Sequence, residues 1–274
     1  MPGPPPFRRH PSAQALPLMP LETPSLSETQ LFGIRISVGA MDTAAEQILA
    51  CARQAKGGLV CVANVDMLTR AKRTPRLADL MHKAVAVVTD GMPLVWALRV
   101  LQGRRDAHRV YGPGLVLELC ERAAREGMGV FFYGGTPEEL DKLQHNLLER
   151  CPTLVIAGAV SPPMLPAEPP FDADIARRIN ASGAGLVFVG LGCPKQEFWM
   201  DIHADRIKPV SIGVGLAFAL IAGTKKQAPA WMRGAGLEWL FRLGQEPGRL
   251  WKRYLVGNSL FIWYTLRECF RPSR

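Results

Sequence analysis

The chain has 274 residues, 48% of them apolar, which is enough for one large α/β domain or two small ones with a substantial core. No run reaches the roughly 18 uninterrupted apolar residues of a membrane-crossing helix; the nearest, Val210 to Gly223, is too short and is broken by three glycines. The formal charge of +9 is unevenly placed, because from Lys225 onward ten Lys or Arg face only Glu238, Glu246 and Glu268, and a one-sign segment of that kind seeks phosphate, on nucleic acid or on a membrane surface.

Residues 1 to 28 hold eight prolines and few large apolar side chains, and read as a disordered tail. Arg8, Arg9 and His10 are followed by no apolar core, so no secretory signal peptide is expected in this stretch. The six cysteines are scattered with no CxxC pair, and read as small buried apolar residues of a reducing compartment. A cytoplasmic protein is expected.

From Leu31 short β-branched runs alternate with stretches of helical periodicity. The predicted strands are Gly33–Val38, Leu59–Ala63, Val85–Thr89, Val130–Tyr133, Leu154–Ala159, Leu186–Leu191 and Val210–Val214. Helices are expected near 42–56, 74–83, 92–102, 113–126, 137–150, 172–182 and 195–206. Such alternation implies an α/β fold: a Rossmann-like, mostly parallel sheet with helices on both faces. Thr136-Pro137-Glu138-Glu139 places a capping hydroxyl, a proline and two acids at one helix start, and Pro194 is read as opening another. The core is expected to run over 29–227. Around Ala228 the alternation stops, and 228–274 reads as a basic, aromatic-rich helical appendage.

In a parallel sheet, ligands bind at the carboxyl ends of the strands. Five predicted strands run there into glycine or polar residues: Asn64-Val65-Asp66, Asp90-Gly91, Gly134-Gly135, Gly192-Cys193-Pro194-Lys195-Gln196-Glu197, and Gly213-Val214-Gly215. Glycine lets a ligand approach the backbone, and helix N-termini offer N–H groups to phosphate. Convergence of five such ends points to a nucleotide site. Neither Gly190-Leu191-Gly192 nor Gly213-Val214-Gly215 completes the dinucleotide fingerprint, which disfavours NAD and a dehydrogenase.

Asp90, at the tip of a very apolar strand, is the candidate general base toward a sugar hydroxyl, with an N-cap for the helix at Met92 as the competing role. Asp66 is a second candidate that first-turn dipole preference explains well. Asp172-Ala173-Asp174 has the spacing of a metal-binding triplet but opens an amphipathic helix, so capping accounts for it. The five histidines form no pair at ligand spacing, and no metal is expected.

The appendage interleaves Trp231, Arg233, Trp239, Arg242, Arg249, Trp251, Lys252, Arg253 and Tyr254 with aliphatics and ends in the apolar stretch Leu255 to Leu266. That is the composition of an interfacial helix on anionic lipid. Nucleic acid is not expected as a partner, because the aliphatics leave no stacking groove.

The segments TDGMPLVWALRVLQG and RVYGPGL, then VFVGLGCPKQEFWM, GVGLAFALIAG and QAPAWMRGAGLEWLFRLGQEPGRLWKRY, resemble the WecG/TagA/CpsF glycosyltransferases over about Leu31 to Tyr254. The resemblance implies a metal-independent, inverting enzyme with no cofactor. It would move a sugar, of N-acetylmannosamine or glucose type, from a UDP-sugar to a polyprenyl-diphosphate-linked saccharide in surface or exopolysaccharide assembly. It implies work at the inner face of the plasma membrane, with self-association left open. By the same resemblance Asp90 is the base, Arg109 and Gln196 join it, Asn64 contacts substrate, and Arg233, Arg242 and Arg249 close over the leaving diphosphate. The chain departs from the family where Gly112-Pro113-Gly114-Leu115 replaces a G-x-D-L pattern. The alternative is a non-catalytic nucleotide-binding membrane protein of the same fold, against which Asp90 argues.

Overall fold

The computed structural model describes residues 25–270. Most of the expected N-terminal tail, residues 1–24, lies outside them.

Two strands open the fold, β1 (Ser27–Leu31) and β2 (Ile34–Val38), paired antiparallel. The two-residue turn Phe32-Gly33 has φ of 55° and 80°, the positive values that a tight hairpin of this twist requires. This corrects two expectations. Ser27 and Glu28 belong to a strand rather than to a tail, and the run at 33–38 is not part of the parallel sheet. The hairpin instead covers an edge of that sheet, where Val87 N–H donates to Ser37 Oγ at 3.0 Å. An edge strand left bare would invite pairing with another chain.

The central sheet has six parallel strands: β3 (Leu59–Ala63), β4 (Ala86–Thr89), β5 (Gly129–Gly134), β6 (Ile156–Val160), β7 (Ala184–Gly190) and β8 (Val210–Gly213), in the order β4-β3-β8-β7-β5-β6. Strands β3, β4, β5 and β8 are buried throughout, which is why they read as unbroken apolar runs. Alternate residues feed two cores: Leu59, Cys61 and Ala63 face one, Val60 and Val62 the other. Helices α1 (Met41–Arg53), α5 (Gly112–Arg125), α6 (Pro137–Arg150) and α9 (Ala217–Ile221) close one face. The other is closed by α2 (Val65–Ala71), α3 (Pro75–Lys83), α4 (Met92–Leu101), α7 (Ala173–Ala181) and α8 (Lys195–His203). The short α2 follows β3 directly and carries Asp66 in its first turn, where dipole preference explains an acid. Its N-cap is Asn64, whose Oδ1 accepts from Met67 N–H at 3.1 Å.

The chain ends in α10 (Ala230–Gly234), α11 (Glu238–Gln245) and the long α12 (Pro247–Cys269). α12 lies along α2 and α4, with Leu250, Gly257 and Phe261 buried. Phe261 meets the Phe32 ring edge-on at 5.5 Å, and Tyr264 meets it at 5.6 Å. The hairpin tip therefore grips α12, through aromatic contacts that contribute about 0.5–1.5 kcal/mol each beyond burial. No helix among the described residues is long and apolar enough to cross a membrane.

Candidate active site

Because all six strands run parallel, their carboxyl ends share one edge, and two cavities open there. One, of about 270 Å³, is walled by Gly135, Gly190, Gly192, Gly213 and Gly215 on the strand ends, with Gln196 at its wall. The other, of about 410 Å³, lies between the start of α4 and the C-terminal helices, against Met92, Pro93, Trp239, Tyr254, Phe261 and Ile262. Asn64, Asp90, Glu238 and Arg242 line both.

Asp90 does not cap α4. The N-cap is Gly91, with no side-chain bond to the helix. The Asp90 carboxylate instead accepts from Gly112 N–H at 3.3 Å and from Arg109 Nη2 at 3.4 Å, and Arg109 Nε donates to the Asp90 carbonyl oxygen. Arg109 Nη2 also meets Glu238 Oε2 at 2.6 Å, and its guanidinium lies 4.4 Å from the Tyr111 ring centre. Burial pushes the Asp90 carboxyl upward and Arg109 pulls it back, while Glu238 adds to the rise. A carboxylate so enclosed is a stronger base than one in water.

Gln196 is packed beneath the glycine ends. Its Oε1 accepts from Gly192 N–H at 3.1 Å and its Nε2 donates to Glu197 Oε1 at 2.8 Å. A Cβ on Gly213 would come within 2.8 Å of that amide nitrogen, so a larger residue there would displace the Gln196 amide. Glu197 has no exposed surface, and burial raises its carboxyl to about 7.

Not every expected residue reaches the cavities. Gly134, at φ 118°, lines neither; a Cβ there would meet the Gly190 backbone at 2.7 Å, so it serves strand packing. Pro194 is the N-cap of α8 rather than its first helical residue, and its peptide with Cys193 is cis. Lys195 Nζ donates to the Leu165 carbonyl oxygen at 2.6 Å and lines neither cavity. Glu197 lines neither cavity, and its carboxylate accepts from the Gln196 amide, which does. Gly91 lines the larger cavity. A Cβ on Gly114 would approach Met41 and Tyr111 rather than any residue of the glycine edge.

The arginines of the C-terminal helices do reach the site. Arg233 lines the larger cavity, Arg249 the smaller and Arg242 both. Arg249 and Lys225 are both paired with Glu246. Asp66 is neither exposed nor free, being paired with Arg70 at 3.0 Å and with Arg253 of α12 at 2.9 Å. Asp172 caps α7, its Oδ1 accepting from Asp174 and Ile175 N–H. Asp174 is paired with Arg177 on the surface. Among the described residues no group of three or more His, Cys, Asp or Glu is placed to hold a metal ion.

Sequence reasoning missed Glu238, Tyr111, Lys225 and Arg253 as residues of this site. Glu238 meets Arg109 across 129 residues of chain, so only its place in the GLEW segment could have marked it.

Residues 29–274 match the sequence model of the Glycosyl transferase WecG/TagA/CpsF family. That span takes in the hairpin from Thr29 onward, the sheet with its glycine edge, and all three C-terminal helices. The chain therefore belongs to this family and is a glycosyltransferase.

Proposed function

We propose that this enzyme transfers a sugar, with inversion and without a metal, from a UDP-sugar to a saccharide carried on polyprenyl diphosphate, in the synthesis of a cell-surface polymer. The observation that carries the reading is that Asp90 stands where the two cavities meet. The glycine-walled cavity suits a nucleotide, since a backbone without Cβ atoms admits close approach of phosphate. The larger cavity, with its apolar wall from α4 and α12, suits the acceptor sugar and the first part of its lipid.

In this reading the acceptor hydroxyl attacks the anomeric carbon from the side opposite the diphosphate. Its proton passes to the Asp90 carboxylate as the new C–O bond forms. The bond from the anomeric carbon to the diphosphate oxygen breaks, and UDP leaves with the electron pair. Arg242, Arg249 and Lys225 stand at the cavity where that negative charge develops, so they can stabilise it in place of a cation. Gln196, held at both ends of its amide, gives the donor side a fixed wall.

The exposed side chains of α12 include Trp251, Leu255, Val256, Ile262, Trp263 and Leu266. Lys252 lies 5.4 Å from the Trp251 ring and Arg267 5.5 Å from that of Trp263. Apolar side chains flanked by cations match an anionic lipid surface, here the inner face of the plasma membrane, where a lipid-linked acceptor is held.

The test is Asp90→Asn in the full-length protein. It should keep the fold and bind donor, yet lose turnover by about a hundredfold to ten-thousandfold. Near-normal turnover on a panel of UDP-sugars with a synthetic lipid-diphosphate glycan would refute the assignment.

A further inference from the structure

Arg109 lies between two carboxylates, and its nearer partner is not Asp90. Nη2 is 2.6 Å from Glu238 Oε2 and 3.4 Å from Asp90 Oδ1. The Tyr111 ring covers one face of the guanidinium, which limits the plane in which Nη2 can turn. Glu238 comes from α11 in the C-terminal segment, whereas Asp90 and Arg109 belong to the core.

An arginine given wholly to Asp90 would stabilise the charged carboxylate and weaken it as a proton acceptor. Glu238 opposes this in two ways. It draws the guanidinium's closest contact to itself, and it brings a second negative charge into the same enclosed space. We infer that Glu238 is a positioning residue for the transfer reaction, holding Arg109 Nη2 off Asp90 and thereby making the strength of the base depend on docking of the C-terminal segment. The inference rests on the reading of Asp90 as the base.

The other charged groups around Asp90 do not duplicate this role. Tyr111, its phenol pushed up to about 12, is neutral at working pH. Asp66 is already held by Arg70 and Arg253. Arg233 and Arg242 line the same cavity but add positive charge. Burial, Arg109 and Glu238 are the influences on the Asp90 carboxyl itself, aided by the Gly112 N–H. With α11 displaced, Arg109 would keep Asp90 alone as its acidic partner, and Asp90 would gain water. Both changes lower its pKa. A segment that meets the bilayer where the acceptor arrives would then also complete the base.

The experiment compares the full-length enzyme with Glu238→Gln, Glu238→Asp and Asp90→Asn, measuring kcat/KM against pH with the UDP-sugar that turns over and the synthetic lipid-diphosphate glycan. Glu238→Gln should lower the rate at neutral pH by roughly tenfold and move the acid limb to lower pH. Glu238→Asp, which keeps the charge, should return the limb most of the way. An acid limb that stays in place in Glu238→Gln while Asp90→Asn is inactive overturns this inference alone, whatever the size of the rate loss. So does a Glu238→Asp profile no different from that of Glu238→Gln. Near-normal turnover of Asp90→Asn would instead overturn the base assignment, which keeps the two failures apart. Should Glu238→Gln fold poorly, Glu238→Asp against the wild type decides, since charge at a shorter reach must give a smaller shift of the same sign.

Discussion

Glu197 is buried completely, accepts from Gln196, and has its carboxyl raised to about 7 by loss of water. A raised carboxyl means that the folded protein binds a proton that the unfolded chain has released. Folding stability from this group is therefore fully present below the ordinary Glu range and declines as pH rises toward about 7. The Gln196 amide would lose nothing by facing another amide, so Glu197→Gln should remove this decline. Chemical denaturation between pH 5 and 8 should show wild type losing stability relative to the variant, by on the order of 3 kcal/mol across that window. Parallel curves for the two proteins would show that Glu197 is not protonated on folding. Metal dependence is also decided by single residues. Asp172 is occupied as a cap and Asp174 by Arg177, whereas Arg242 and Arg249 line the cavities. Activity should survive excess EDTA, and a strict need for magnesium or manganese would return the weight to the two aspartates.

Among the elements, the β1–β2 hairpin does more than close a sheet edge. Its turn residue Phe32 is 3% exposed and takes Phe261 and Tyr264 of α12 on its ring, while Lys72 of α2's C-terminal end donates to its carbonyl oxygen at 2.9 Å. The N-terminal hairpin and the C-terminal helix thus stabilise each other, with α2 between them. Phe32→Ala should cost about 3 kcal/mol or more, the usual range for emptying a buried aromatic site. Trypsin should then cut within α12 sooner than in the wild type. A variant with unchanged stability and unchanged cleavage would show that α12 is held by α2 and α4 alone. The same packing warns against deleting the C-terminal helices as a test, because Leu250 and Phe261 are core residues.

For the whole molecule, positive charge and exposed aromatics gather at one end of the chain, and α12 presents them together. A basic residue near an anionic surface contributes about 1 kcal/mol, and the apolar face adds burial. The protein should pellet with anionic liposomes and release progressively as salt is raised, since exposed charges are screened. Trp263→Ala combined with Arg267→Glu should weaken pelleting without affecting turnover on a water-soluble acceptor, because neither residue lines the cavities. Unchanged pelleting would show that this face is not the one that meets lipid.

The sequence by itself marked the strands of the parallel sheet, most plainly β3, β4, β5 and β8, because strands buried on both faces must be continuously apolar, and it marked the glycine and polar residues at the carboxyl ends of the sheet. It also marked the helix start at Thr136, whose hydroxyl accepts from Glu139 N–H, and the structure adds the Glu139 carboxylate accepting in return from Thr136 N–H. These are local rules, read within a turn or a strand. Only the tertiary structure decided that the run at 33–38 turns back on β1, that Gly134 packs strands while Gly135 faces a cavity, and that Lys195 turns away. Above all it decided that Glu238 takes Arg109 and that Arg253 takes Asp66. Those pairs join distant parts of the chain, and their partners are selected by how helices stack on the sheet, which no local pattern encodes.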